Sequence, residues 1–217
     1  LASNLTMGSS GSITGYDNSK YINASGTGKL NQNVGASNKV YPVGNAASYV
    51  PVTLNNSGTA DNYGVRVFDD VLNNGTSGAT IASINNAVDM TWVVDETVAG
   101  GSNLTATCQW NGANEGSLFN RTQAGIGVYN AGIWNPQNAG AASGANPYTM
   151  TRTGITTLGP LAVGDINSPM AVILALTVNL KEFLEGPFTG TEMTTLLNSG
   201  GIIPLAQPYN VAPWNYS

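Results

Sequence analysis

The chain has 217 residues, of which 9 % are charged, one is cysteine and none is histidine. A typical globular domain carries about 25 % charged residues, so Asn, Gly, Ser and Thr stand here in place of charge, and the net charge is −5. Seven basic residues cannot supply the clustered cations that nucleic acid or an anionic membrane surface requires, and the commonest acid–base group near neutral pH is absent. No nucleic-acid partner, no cofactor and no catalytic residue is read from the chain.

Hydrophobic residues make up 41 % of the sequence and recur throughout, enough for a real core. The period is mostly two. In chain order, Val50, Val52 and Leu54 alternate with Pro51, Thr53 and Asn55, and Tyr63, Val65 and Val67 with Gly64, Arg66 and Phe68. Val88, Met90, Trp92 and Val94 alternate with Asp89, Thr91, Val93 and Asp95, and Leu104, Ala106, Cys108 and Trp110 with Thr105, Thr107 and Gln109. Each pattern predicts a strand with one buried face. Turn clusters separate them at Asn55–Gly58, Asn73–Gly75, Ala99–Ser102 and Asn111–Gly112. Short strands are also expected at Leu5–Met7, Ser12–Thr14, Tyr21–Asn23 and Lys29–Val34, which either begin the same sandwich or end a longer repetitive β-structure.

Pro147–Thr153 and Gly159–Gly164 read as the last strands of an all-β, antiparallel β-sandwich over residues 1–165. A boundary is expected near Asp165–Pro169, followed by a smaller strand-containing C-terminal segment over 166–217. In that segment Val172, Leu174, Leu176, Val178 and Leu180 form one wide apolar face of the strand expected at 171–180, and Ala171, Ile173, Ala175 and Thr177 on the other face are also largely apolar. A strand buried on both sides wants neighbours on each edge and cover on each face. The apolar run Met170–Val178 is far shorter than the roughly 20 residues that span a bilayer, so membrane insertion is not expected. Met193, Leu196 and Leu197 fit one helical turn, and the Pro-rich tail Pro204–Tyr216 reads as extended.

Side chains with possible chemistry are few. Asp69–Asp70, Asp95–Glu96, Asp61 and Asp89 could serve calcium or glycoside hydrolysis, but no calcium-loop spacing is present and solvated strand ends explain them as well. No metal site is assigned. Without histidine a Ser-His-Asp triad is impossible, and no motif singles out a serine beside Lys20, Lys29, Lys39 or Lys181. Cys108 reads as a small buried apolar side chain. Trp92 and Trp110 are expected in the core and Trp134 partly exposed. Asn-X-Ser/Thr tripeptides begin at Asn4, Asn23, Asn55, Asn74, Asn103, Asn120 and Asn215; in a chain this rich in the three residues several arise by chance, and no glycan is assigned to them.

Two stretches carry a resemblance. The first includes Gly26–Gly35, Tyr41–Gly44, Pro51–Val67, Met90–Trp92, Ala99–Asn103, Gln109–Asn111, Arg152–Thr156 and Ala162–Asp165. The second is Val178–Phe188 with Leu197–Tyr216, ending in Pro-Trp-Asn-Tyr. Together they resemble exported cell-surface proteins of Bacteroidetes, the class carried by type IX secretion. The resemblance implies a β-sandwich at the cell surface or outside the cell, and no reaction. It also implies that the second module continues into a further apolar strand, whereas this sequence stops at Ser217. The strand at 171–180 is therefore expected to lack a partner within the sequence, and either a sister subunit or a continuation of the polypeptide would supply it.

The expected role is a structural subunit of a fibre, filament or layer whose partner is itself. Inter-subunit contacts are expected at Val172, Leu174, Leu176, Val178, Leu180, Tyr209, Trp214 and Tyr216. The alternative is an adhesin or carbohydrate-binding module that takes surface glycans on an aromatic platform.

Overall fold

In the computed structural model the period-two pattern becomes burial. The structure describes residues 1–172. Its strands are β1 (Leu5–Thr6), β2 (Ile22–Asn23), β3 (Leu30–Val34), β4 (Lys39–Tyr41), β5 (Val43–Gly44), β6 (Val52–Asn56), β7 (Asp61–Phe68) and β8 (Ala87–Glu96). They continue with β9 (Leu104–Trp110), β10 (Ala124–Asn130), β11 (Ile133–Asn135), β12 (Gln137–Asn138), β13 (Ser143–Gly144), β14 (Tyr148–Ile155), β15 (Pro160–Asp165) and β16 (Ala171–Val172). The described residues hold three single-turn 3-10 helices and no α-helix. The protein is an all-β, mostly antiparallel sandwich.

Among the described residues the two large sheets have seven strands in the order β1-β3-β7-β8-β15-β10-β11 and five in the order β13-β14-β9-β6-β4, beside the two-stranded pairs β2-β5 and β12-β16. Val65, Val67, Met90, Trp92 and Ile126 of the first meet Val52, Leu54, Ala106, Cys108 and Trp110 of the second in one buried cluster. β9 alternates buried and half-buried residues along its whole length, as its sequence predicts. The two buried indoles are satisfied as well as packed: Trp92 Nε1 donates to the Val50 carbonyl and Trp110 Nε1 to Glu115 Oε1, each at 2.8 Å. Both sheets end in short strands: β1 and β13 have two residues, β11 and β4 three.

The N-terminal residues join this sandwich. β3 pairs antiparallel with β7, and β1 lies parallel to β3 at the sheet edge. Ser12–Thr14 forms no strand. β15 is not peripheral but enters between β8 and β10, so the last of the predicted strands is interior.

The Asn55–Gly58 cluster differs from its reading as a turn. β6 runs on through Asn56, which is fully buried. Its Nδ2 donates to the Thr59 carbonyl at 2.6 Å and to Tyr63 Oη at 2.8 Å, and its Oδ1 accepts from the amides of Gly58 at 3.0 Å and Asn103 at 2.9 Å. All four bonding positions of the amide are filled. Tyr63 Oη also bonds Ser102 Oγ at 2.6 Å, and Ser102 is hydrogen-bonded in turn to Glu96. This polar string ties β6, β7, β8 and the loop before β9 at one end of the sandwich. Removing one member leaves buried groups unpaired, which costs more than the net worth of a bond. Asn56→Ala is expected to lower the unfolding free energy by about 3 kcal/mol, and Asn55→Ala, whose side chain is half-buried and faces outward, by less than about 0.5 kcal/mol. Urea denaturation of the two variants measures the difference.

Candidate functional site

The seven-stranded sheet has a second buried cluster on its outer face: Val71, Ile81, Ala87, Trp134, Ala162 and Met170. It exists because the strands beneath it carry almost no side chain there. A Cβ on Gly125 would lie 2.9 Å from Ala171 Cβ, and one on Gly127 would lie 3.2 Å from Met170 Cα and overlap its thioether. β10 is thus the floor of a groove in which residues 168–172 lie. Trp134 forms a wall. It is 8 % exposed, donates from Nε1 to the Leu72 carbonyl at 3.0 Å and meets Tyr129 edge-on at 5.4 Å. The expectation of a partly exposed Trp134 is corrected: hairpin pairing of β11 with β10 turns the indole back over the sheet.

Asp165 directs the chain into this groove. Its carboxylate is buried and accepts from the amides of Asn120 and Asn167, each at 2.8 Å, and from Asn86 Nδ2 at 3.4 Å. Its carbonyl accepts from the Ser168 amide at 2.9 Å and from Ser168 Oγ at 2.7 Å. The Asp165–Pro169 stretch, read in the sequence as a boundary, is a tight turn that folds the chain back across the sheet. Residues 168–171 stay with the sandwich, with Met170 fully buried and Ala171 5 % exposed.

β16 then pairs parallel with β12, Gln137 opposite Ala171 and Asn138 opposite Val172, and the Gln137 amide donates to the Met170 carbonyl at 2.9 Å. Gln137 also stands in for a missing strand. Its Oε1 accepts from the Ile126 amide at 3.0 Å and its Nε2 donates to the Thr151 carbonyl at 3.0 Å, bridging β10 and β14. Val172, the first residue of the expected contact face, is half-buried at the end of this ladder. Of the others, Leu174, Leu176, Val178, Leu180, Tyr209, Trp214 and Tyr216 lie outside the described residues, as do Lys181, the expected helical turn at 193–197 and the Pro-rich tail.

Of the carboxylates singled out in the sequence, Asp69, Asp70 and Asp89 lie near one another, and no group of three His, Cys, Asp or Glu able to hold a metal occurs among the described residues. Asp70 is a turn device. Its φ is +91°, and its side chain accepts from the Val71 amide and Thr80 Oγ1, each at 2.7 Å. Asp69 accepts from Asn45 Nδ2, Asp95 pairs with Lys29, and Asp61 accepts from the Val98 amide at 2.7 Å. Glu96 accepts from the Gly100 amide at 2.8 Å. Lys20 lies 3.9 Å from Asp17, and Lys39 donates to the Gly11 carbonyl at 3.4 Å. Cys108 is buried and apolar-packed; desolvation pushes its thiol far up, the opposite of a reactive thiolate.

Asp69, Asp89 and Glu115 line a cleft of about 280 Å³ with Asn85 and Asn114. Glu115 is committed, since Arg121 binds both of its oxygens at 2.5 and 2.8 Å while Trp110 takes one of them. Asp89 is exposed on its strand, and its carboxyl is raised from its ordinary value by partial desolvation first, then by the negative charge of Asp70 and Asp69. A carboxyl raised in the folded state favours folding below its unfolded pKa and loses that contribution as pH rises through the folded value. Asp89→Asn is therefore expected to raise the thermal midpoint at pH 7 and to leave it unchanged near pH 3, as calorimetry at the two pH values would read.

The groove yields a second expectation. Gly127→Ala places a methyl against Met170 and is expected to cost about 1–3 kcal/mol. Met170→Ala empties the seat and is expected to cost about 2–5 kcal/mol. The double variant should cost less than the sum of the two, because the methyl then has room; a urea-denaturation cycle measures the coupling. Comparisons of the chain with models of protein families, with curated proteins and with solved structures find no match.

Proposed function

We propose that the chain is a non-catalytic structural subunit of an extracellular or cell-surface fibre, filament or layer, joined to sister copies by strand addition through the apolar stretch at 171–180. The observation that carries this reading is the start of that stretch. Ala171 and Val172 are held on one edge by β12, and their other edge has no partner among the described residues. An apolar sequence that begins on an anchored ladder with one open edge supplies both hydrogen-bonding groups and hydrophobic surface to an incoming strand. If each copy gives and receives at different places the contact is head-to-tail, and it extends indefinitely unless the rotation closes.

The composition supports the same reading. With 9 % charged residues, copies repel one another weakly, and amides and hydroxyls supply hydrogen bonds that salt does not screen. The location rests on the resemblance to exported surface proteins. Among the described residues no helix is long and apolar enough to cross a membrane. The adhesin alternative drew on exposed aromatic rings; Trp134 is buried, and Tyr209, Trp214 and Tyr216 lie outside the described residues.

Negative-stain microscopy and light scattering of the full chain test the proposal. Regular assemblies are expected, unchanged in mass between about 0.1 M and about 1 M NaCl, where the screening length falls from roughly 10 to 3 Å. Leu176→Asp and Val178→Asp are each expected to leave the unfolding midpoint of the sandwich in place and to abolish assembly. A monodisperse monomer, or assembly undiminished in both variants, would overturn it.

A further inference from the structure

Arg152 lies on β14 on the same side as the core residue Met150, where β14 reaches an irregularity in its pairing with β9 between Arg152 and Ile155. Its guanidinium crosses to the other sheet. Nη1 donates to the Ile126 carbonyl and to the Asn135 carbonyl, each at 2.7 Å. These two bonds use both hydrogens of that nitrogen and fix the plane of the group. Nε and Nη2 make no hydrogen bond, and no carboxylate lies within ion-pair distance, among the described residues. The group is half-buried, and desolvation pulls its pKa below the usual value. A desolvated cation with one edge held and one edge vacant is costly to maintain.

The vacant edge is the chemically selective one. Nε–H and Nη2–H are parallel donors whose spacing matches the two oxygens of a carboxylate. Arg152 lines a cleft of about 330 Å³, at the small end of the range for ligand sites. Asn130, Asn135, Thr156 and Thr157 line it too, and none of their side chains is hydrogen-bonded among the described residues. Val128, Ile155 and Pro136 add apolar surface. The polar groups suit hydroxyls, the apolar ones suit the C–H face of a ring, and the volume suits one ring.

We propose that the Arg152 cleft is a binding site for a carboxylate-bearing sugar of the uronic-acid class, its carboxylate taken side-on by the Nε and Nη2 donors and its hydroxyls by Asn130, Thr156 and Thr157. This site is separate from the assembly contact, and either can fail without the other.

Titration of the full chain carrying Leu176→Asp, which keeps it unassembled, with D-glucuronate, D-glucose and propionate, followed by amide chemical shifts, tests it. Glucuronate is expected to bind at least tenfold more tightly than either of the others and to shift resonances of residues 152–157. Arg152→Lys, which keeps the charge and loses the parallel donors, is expected to weaken glucuronate at least tenfold. Because that variant also loses a cross-sheet bond, Asn130→Ala serves as the second: it should weaken glucuronate and leave propionate unchanged. Three outcomes would overturn the proposal: glucose binding as well as glucuronate, propionate binding as well as glucuronate, or no shifts at residues 152–157 with any probe.

Discussion

Residues 170 and 171 lie so close to β10 that no side chain fits between them. Gly125 and Gly127 let the chain lie directly on the outer face of the seven-stranded sheet. The small cluster around Met170, the inward turn of Trp134, the parallel ladder at Gln137 and the starting point of the apolar stretch all depend on that contact. A sandwich has one obvious core, between its sheets. Here a second is built outside it, and its purpose in the architecture is to anchor the chain where it leaves the last long strand.

The anchoring is over-determined in a way that suits a load-transmitting position. Asp165 gathers amides from the 86, 120 and 167 regions, Ser168 closes the turn, and Met170 is buried beyond it. Pulling on residue 172 would strain a ladder bond, a buried thioether and a saturated carboxylate in series before it reached β15. The proposed exchange of strands between copies calls for an attachment of this kind, since a strand donated to a neighbour transmits force only as well as its own root is held.

Much of the sandwich was legible in the sequence because its information is local. The alternation in 52–56 and 104–110 is a face of the core written residue by residue, and burial follows it, whereas in 88–95 Thr91 and Val93 on the expected outer face are buried as well. What was not legible is what depends on distant partners. β10, Ala-Gly-Ile-Gly-Val-Tyr-Asn, carries a weak strand signal since its glycines serve Met170, more than forty residues away. Asn56 looks like any turn asparagine until Tyr63 and Asn103 are brought beside it. Arg152 drew no notice because its partners are two backbone carbonyls, which leave no mark on the sequence. The sequence could not set the separation of the acids; in the structure Asp70 closes a turn, Asp61 caps a backbone amide and Asp95 pairs with Lys29.

A surface with so few charges gives up the ordinary protection against sticking to its neighbours. The stubby margins of both sheets, Leu5–Thr6 and Ile133–Asn135 on one and Ser143–Gly144 and Lys39–Tyr41 on the other, restore it by geometry. Two or three residues give too little purchase for lateral accretion, so indiscriminate clumping is starved of templates whatever the ionic strength. Crowding many copies together then need not cost the protein its order.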